Sequence, residues 1–164
     1  MTKHTRRVLE LGVGLALALA IVLTVGADWH QRTAAQVRAD TLRLHILANS
    51  DTLDDQLLKL QVRDAVLAAL PPAVTEAATP DEAAAALQYA LPALQQAADT
   101  ALHCAHSPQA ARLRLEQWDF AARDYGSFTL PGGAYTALRI ELGEARGRNW
   151  FCVLYPALCV SGST

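Results

Sequence analysis

The sequence has no Gly-x-Ser-x-Gly elbow, no glycine-rich phosphate loop and no His-Glu-x-x-His zinc helix, so the common short signatures of hydrolases, nucleotide-binding enzymes and zinc proteases are absent. It has no charge excess either. Lys and Arg number 14 against 16 Asp and Glu, a formal net charge of -2, which offers an anionic polymer nothing to bind and argues against nucleic acid as a partner. No internal repeat is visible. Charged residues make up only 18% of the chain while 52% is apolar, which excludes disorder, and 164 residues leave room for one domain with a real core.

The apolar residues begin early. Thr2 to Arg7, "TKHTRR", is cationic, and Val8 to Ala27, "VLELGVGLALALAIVLTVGA", approaches the roughly 20 apolar residues that span a bilayer. This is an export signal. Val25 and Ala27 offer the small-residue spacing that a signal peptidase accepts, but the run is long for a cleaved segment, so a signal peptide and an uncleaved anchor are both compatible with residues 1–27. Either places the body outside the cytoplasm. Residues 28–40 form a polar juncture read as a short linker or frayed helix, the domain occupies 41–160, and 161–164 is a polar tail.

Cysteine is scarce and odd in number: Cys104, Cys152 and Cys159. On the oxidising side of a membrane a pair is expected, and Cys152 and Cys159 flank "VLYPAL", whose Pro156 can reverse the chain; closing so short a loop contributes about 2.5 kcal/mol. Cys104, in an alanine-rich helical stretch, reads as a buried small hydrophobe.

Residues 41–48 alternate Leu42, Leu44, Ile46 and Ala48 against Arg43, His45 and Leu47, the period of a half-buried strand. Helical spacing follows Thr52, with Leu58, Val62, Ala65 or Val66, and Ala69 on one stripe until Pro71-Pro72. Thr79-Pro80-Asp81-Glu82 spells a second helix start with a capping box, and Pro92 predicts a kink or break before about Ala105. From Ala111 alternation returns, with Leu113 and Leu115 against Arg112, Arg114 and Glu116. A second alternating stretch carries Leu138, Ile140 and Leu142 against Arg139 and Glu141. Gly143 and Gly147 suggest a tight hairpin into "NWFCVLYP", which is apolar on both sides and suits an inner strand or one covered by a partner. The order predicts an α+β two-layer sandwich: a largely antiparallel sheet of about four strands, with two or three helices on one face, preceded by a hydrophobic helix.

Candidate chemistry is thin. Asn49-Ser50-Asp51, with His45 behind and Asp54 and Asp55 beyond, could offer a catalytic carboxylate, but strand-to-helix joints favour these residue types as caps, and first-turn acids are stabilised by the helix dipole by about 0.3–1 kcal/mol each. The joint is therefore read as structural and no catalytic residue is assigned. Asp55 and Lys59 should pair on the helix surface, leaving Arg63 to be neutralised from outside the helix or to anchor it to the sheet edge. His103, Cys104 and His106 lack a second cluster, so no metal is expected, nor any cofactor or small-molecule substrate. If Leu42, Leu113 and Leu138 face the helices, then Arg43, His45, Arg112, Arg114, Glu116, Arg139 and Glu141 gather on the opposite sheet face. That charged open face is the best site for a protein partner, with Arg43, His45, Arg63, Arg139 and Trp150 as candidates.

Two blocks, "LRLHILANSDTLDDQLLKLQVRDAV" (residues 42–66) and "YTALRIELGEARGRNWFCVLYPALC" (residues 135–159), resemble the stage II sporulation protein R family of endospore-forming bacteria. Arg43, His45, Ala48 to Asp51, Asp55-Gln56, Lys59 and Val62 to Asp64 stand at the first block's positions; Gly143-Glu144, Gly147, Asn149-Trp150, Cys152 to Leu154, Pro156 and Leu158-Cys159 stand at the second's. Phe151 replaces a usual Trp, Tyr155 a Phe and Ala157 a Pro. The resemblance implies a non-enzymatic signalling protein, exported across or anchored in the forespore membrane. It would act in the space between forespore and mother-cell membranes, where a membrane-embedded aspartic protease of the mother cell, its partner, is activated to cleave pro-sigma-E. The alternatives are an exported hydrolase using His45, Asp51 and Asp55, and a structural envelope domain with a protein-binding sheet face.

Overall fold

The computed structural model describes residues 3–126 and 128–156. The chain divides into two compact units, Met1–Gln36 and Val37–Thr164.

Helix α1, Lys3–Ala39, continues through the stretch expected to be a linker. Nothing there stops it: residues 28–39 contain neither Gly nor Pro, and Asp28 pairs with Arg32 one turn on at 2.7 Å. Leu11, Leu15, Ile21, Leu23 and their neighbours are all exposed, and Leu11–Ala39 is long and apolar enough to cross a bilayer. A signal sequence or a membrane anchor fits this helix.

In the second unit the order is β1 (Leu42–Leu47), α2 (Leu53–Ala68), α3 (Pro72–Thr75), α4 (Pro80–Cys104), β2 (Ala111–Phe120), β3 (Arg123–Asp124), β4 (Thr129–Leu130), β5 (Gly133–Leu142) and β6 (Asn149–Tyr155). Both predicted helix starts are capped, the second by its expected box and the first by Thr52 rather than by Asn49 or Asp51, which accept from the β5–β6 connection instead. Thr52 accepts from the Asp55 N–H, Thr79 accepts from the Glu82 N–H, and Glu82 reaches back to the Ala78 N–H. Pro92 does not divide α4. Leu87, Ala90, Leu94 and Ala98 on either side of it are buried in one core, and that packing offsets the roughly 3 kcal/mol that an interior proline costs.

The sheet is mixed, in the order β2-β5-β1-β6; β5 and β1 run parallel and the other two pairings are antiparallel. Leu44, Ile46, Leu138, Ile140, Leu142, Cys152 and Leu154 pack with Leu58, Val62 and Val66 of α2 and the buried stripe of α4. Two expectations fail here for one reason. Gly143 and Gly147 do not close a hairpin, because β1 lies between β5 and β6, and of the two readings of β6, inner strand or strand covered by a partner, the first fails, since β6 is an edge of the sheet. A glycine-bracketed connection signals a reversal of direction, and it cannot say which strand occupies the gap.

Cys104 is exposed and free, not a buried hydrophobe. It falls at the frayed end of α4, past the last buried residue of the helix stripe, Leu102. Cys152 is buried in the core; its expected partner, Cys159, lies outside the described residues, as does the polar tail.

Candidate functional site

The acid-rich joint between β1 and α2 is where the two distinctive sequence blocks meet. Asn49 accepts from the Glu144 N–H at 2.9 Å, its carbonyl takes the Arg146 N–H at 3.1 Å, and the Ala48 carbonyl takes the Gly147 N–H at 2.8 Å. Asp51 accepts from the Arg148 N–H at 2.6 Å. The β5–β6 connection is thus sewn backbone to side chain onto the joint. Gly143 adopts φ +55°, and a side chain on it would strike Asn49; a Cβ on Gly147 would strike the Ser50 carbonyl.

Asp55 sits beneath this clamp, 9% exposed, and accepts from Ser50 Oγ, Asn49 Nδ2 at 2.9 Å and Gln109 Nε2. Hydrogen bonds from Ser50, then Asn49, hold its carboxyl below the usual range. An acid stabilised in its charged form by so many donors is a poor proton carrier near neutrality. The Asp55–Lys59 pair expected on the helix surface does not form. Lys59 is instead buried, donating to Gln56 Oε1 at 2.7 Å and to the Arg148 carbonyl at 2.9 Å. Burial pulls its pKa down, opposed by Asp51 and helped by Arg148 and Arg63. Asn49, Ser50 and Asp51 therefore form a structural clamp, and Gln109, which carries no sequence signal, is part of it.

The opposite sheet face holds the predicted residues but not the predicted solvent. Arg43, His45, Arg139, Arg114, Glu116, Arg112 and Glu141 do share that face by register. Yet Arg43 is 1% exposed and His45 3%, so neither is an open docking side chain as expected, and reversing the charge of Arg43 is no surface change. The cover comes from aromatic residues of the same face. The Arg43 guanidinium lies 4.0 Å from the Phe120 ring, 4.9 Å from Tyr135 and 5.7 Å from Phe151, and donates to the Tyr125 hydroxyl at 3.2 Å. His45 stacks on Phe151 at 4.7 Å and meets the edge of Phe120 at 5.5 Å. Tyr125 and Phe128, stacked at 5.0 Å, belong to the small β3–β4 hairpin. Among the described residues, Nε and Nη1 of Arg43 and both ring nitrogens of His45 meet no hydrogen-bond partner. The signal for this second core was present: Phe120 continues the Arg112, Arg114, Glu116 and Trp118 alternation, and Phe151 stands directly across from His45.

Farther along, Arg139 bridges Glu116 at 3.2 Å and Glu141 at 2.6 Å and lies 3.7 Å from the Trp118 ring. Arg63, expected to look outside its helix, pairs at 2.7 Å with its neighbour Asp64 while its guanidinium lies 5.1 Å from Trp150, joining α2 to the sheet edge. Among the described residues no cluster of three metal-ligating side chains occurs.

Burial, then the Arg139 and Arg43 charges, push His45 down to about 4. Above pH 6.5 both folded and unfolded chains carry it neutral; below that the unfolded chain takes up a proton that the folded one refuses until about pH 4. Stability should therefore fall by about 1.4 kcal/mol per pH unit across this window, some 3 kcal/mol in all. Urea unfolding at stepped pH is expected to show this slope in the parent and its flattening in His45→Phe. Parallel curves for the two would refute the assignment.

A family model described as stage II sporulation protein R matches residues 38–164. The stage II sporulation protein R of Bacillus subtilis (strain 168) is 36% identical over 118 residues, 72% of this chain and 53% of that protein. The chain thus spans about half the length of the curated relative it matches. No solved structure matches it. The family match takes in the clamp, the helix core and the cation–aromatic face together, and this chain belongs to the stage II sporulation protein R family.

Proposed function

We propose that this chain is an exported sporulation signalling protein that activates a membrane-embedded aspartic protease, so that the protease cleaves pro-sigma-E and forespore gene expression is coupled to that of the mother cell. The observation that carries the reading is the family match over residues 38–164, the whole of the folded unit but its first residue. Two features support it. The apolar helix ahead of the domain suits delivery to or across a membrane, which the proposed site of action between the two cells requires. The acids that would serve a hydrolase are engaged otherwise, Asp55 by three side chains and Asp51 by the Arg148 N–H, which disfavours the catalytic alternative.

The test is co-expression of the protease, pro-sigma-E and this chain in a host that makes none of them. Cleaved sigma-E is expected only when all three are present, and a chain lacking residues 2–27 is expected to give none when the protease face it must reach lies across the membrane. Equal cleavage with and without this chain would overturn the proposal.

A further inference from the structure

The two edges of the sheet are finished differently. At β2 the outward face is charged at Arg112, Arg114 and Glu116, and Gln95 of α4 occupies the edge backbone, donating to the Ala111 carbonyl at 3.0 Å and accepting from the Leu113 N–H at 3.3 Å. Gln95 thereby closes the first residues of that edge to another strand, and the charges discourage pairing beyond them. At the other edge, β6 reads Asn-Trp-Phe-Cys-Val-Leu-Tyr, with no charge, glycine or proline over seven residues.

The Ala48 N–H bonds the Arg148 carbonyl, and pairing then alternates in twos, so Trp150 and Cys152 bond β1 while the backbone groups of Asn149, Phe151 and Val153 point away from it. Among the described residues nothing bonds the outward groups of exposed Asn149 and half-buried Phe151, whereas Val153 is 2% exposed and its carbonyl accepts from Cys152 Sγ at 3.6 Å. Beside them lies a groove of about 380 Å³ lined by Leu67, Leu70, Pro72, Val153 and Leu154, with Thr75 and Glu76 also on its wall. The near half of the strand is flanked by Arg123, 4.7 Å from Phe151, and by exposed Arg148 at its start, while Arg63 at Trp150 already pairs with Asp64.

We infer that β6 is an open docking edge that takes an extended segment of the partner protein as a fifth strand, with carboxylates opposite Asn149 to Phe151 and apolar side chains entering the groove at Leu154. Main-chain bonds to Asn149 and Phe151 would supply affinity, and the cation-to-apolar gradient along the strand would fix the register. The inference rests on the reading that this domain works by contacting a partner, and it identifies the contact surface for that reading.

Two arms test it separately. In the first, the isotope-labelled full chain in detergent micelles is titrated with a synthetic peptide, acetyl-Asp-Glu-Val-Thr-Val-Thr-Val-amide, and with a Lys-Lys counterpart. The Asn149 and Phe151 amides are expected to exchange fast in the free chain and about tenfold more slowly with the acidic peptide only. Slow exchange already in the free chain, from the chain's own tail or a second copy on the edge, would overturn the inference, as would no response to the acidic peptide. In the second arm, Asn149→Pro removes one outward donor at the first position of the strand, where proline is tolerated, and Arg123→Glu reverses a flanking charge. Each is expected to keep the melting temperature within a few degrees and to lower pro-sigma-E cleavage about tenfold. Full cleavage by both stable variants would move the partner elsewhere while leaving the proposed function standing. A positive peptide arm with no cleavage even by the parent would leave the docking edge standing and remove the proposed function.

Discussion

Arg43→Ala is expected to lose about 3 kcal/mol of folding stability, whereas Arg43→Met should stay within about 1 kcal/mol of the parent. Arg43 is the largest of the fully buried side chains, wrapped by Phe120, Tyr135 and Phe151, so truncation opens a void that three rings from three strands cannot close together. Its charge is another matter. Burial pulls the guanidinium pKa down, no carboxylate lies against it, and two of its three nitrogens go unbonded among the described residues. The ring faces and the Tyr125 hydroxyl offset that desolvation only in part, and an unbranched apolar chain of similar length removes the cost while keeping the volume. Met should also relieve His45 of one of the two cations that depress it, shifting its titration upward and narrowing the acid-labile window. Chemical denaturation of both variants decides the matter: if Met costs as much as Ala, the charge itself holds the face together.

Gly147→Ala should be about as damaging, near 3 kcal/mol or some 6–12 °C in melting temperature for a chain of this size. The added methyl would overlap the Ser50 carbonyl and press on the Ala48 side chain, and the first is backbone that cannot swing aside. Relief requires lifting the β5–β6 connection off the joint, which breaks the Gly147 N–H bond to Ala48 and strains those from Arg146 and Arg148 to Asn49 and Asp51. Once the Arg148 carbonyl moves, buried Lys59 loses one of its two acceptors. Thermal melts of Gly147→Ala against a control at an open position, such as Gly12→Ala, would show the contrast. A loss no greater than the control's would mean that the clamp carries no strain from the added atom.

The difference between what was legible and what was not follows from the range of the interactions. Thr52 and Thr79 announced their helices because a cap is decided within four residues of chain, and Leu58, Val62 and Val66 declared a buried stripe through their spacing alone. Period-two alternation assigned Arg43, His45 and Arg139 to one sheet face correctly. It could not state what lies over that face, since Phe151, Tyr135 and the β3–β4 hairpin arrive from far along the chain. The order of strands failed for the same reason: β1 meets β5 and β6 only after the whole helical layer has been laid down. Within the joint, the polar residues were recognised as structural, but their partners in the Gly143 to Arg148 connection were invisible without the fold.

The central position of β1 also sets a timetable. The strand made first is flanked on both sides by strands made last, so when Leu44 and Ile46 leave the ribosome, Leu138 and Cys152 lie roughly a hundred residues in the future. Until then a fully apolar face and two unpaired backbone edges wait in the nascent chain, with only α2 and α4 available to shelter them. The sheet cannot be assembled in instalments: synthesis must run to Tyr155 before its middle strand has both neighbours. A chain interrupted before β6 would lack not a peripheral strand but half of the support of its own centre.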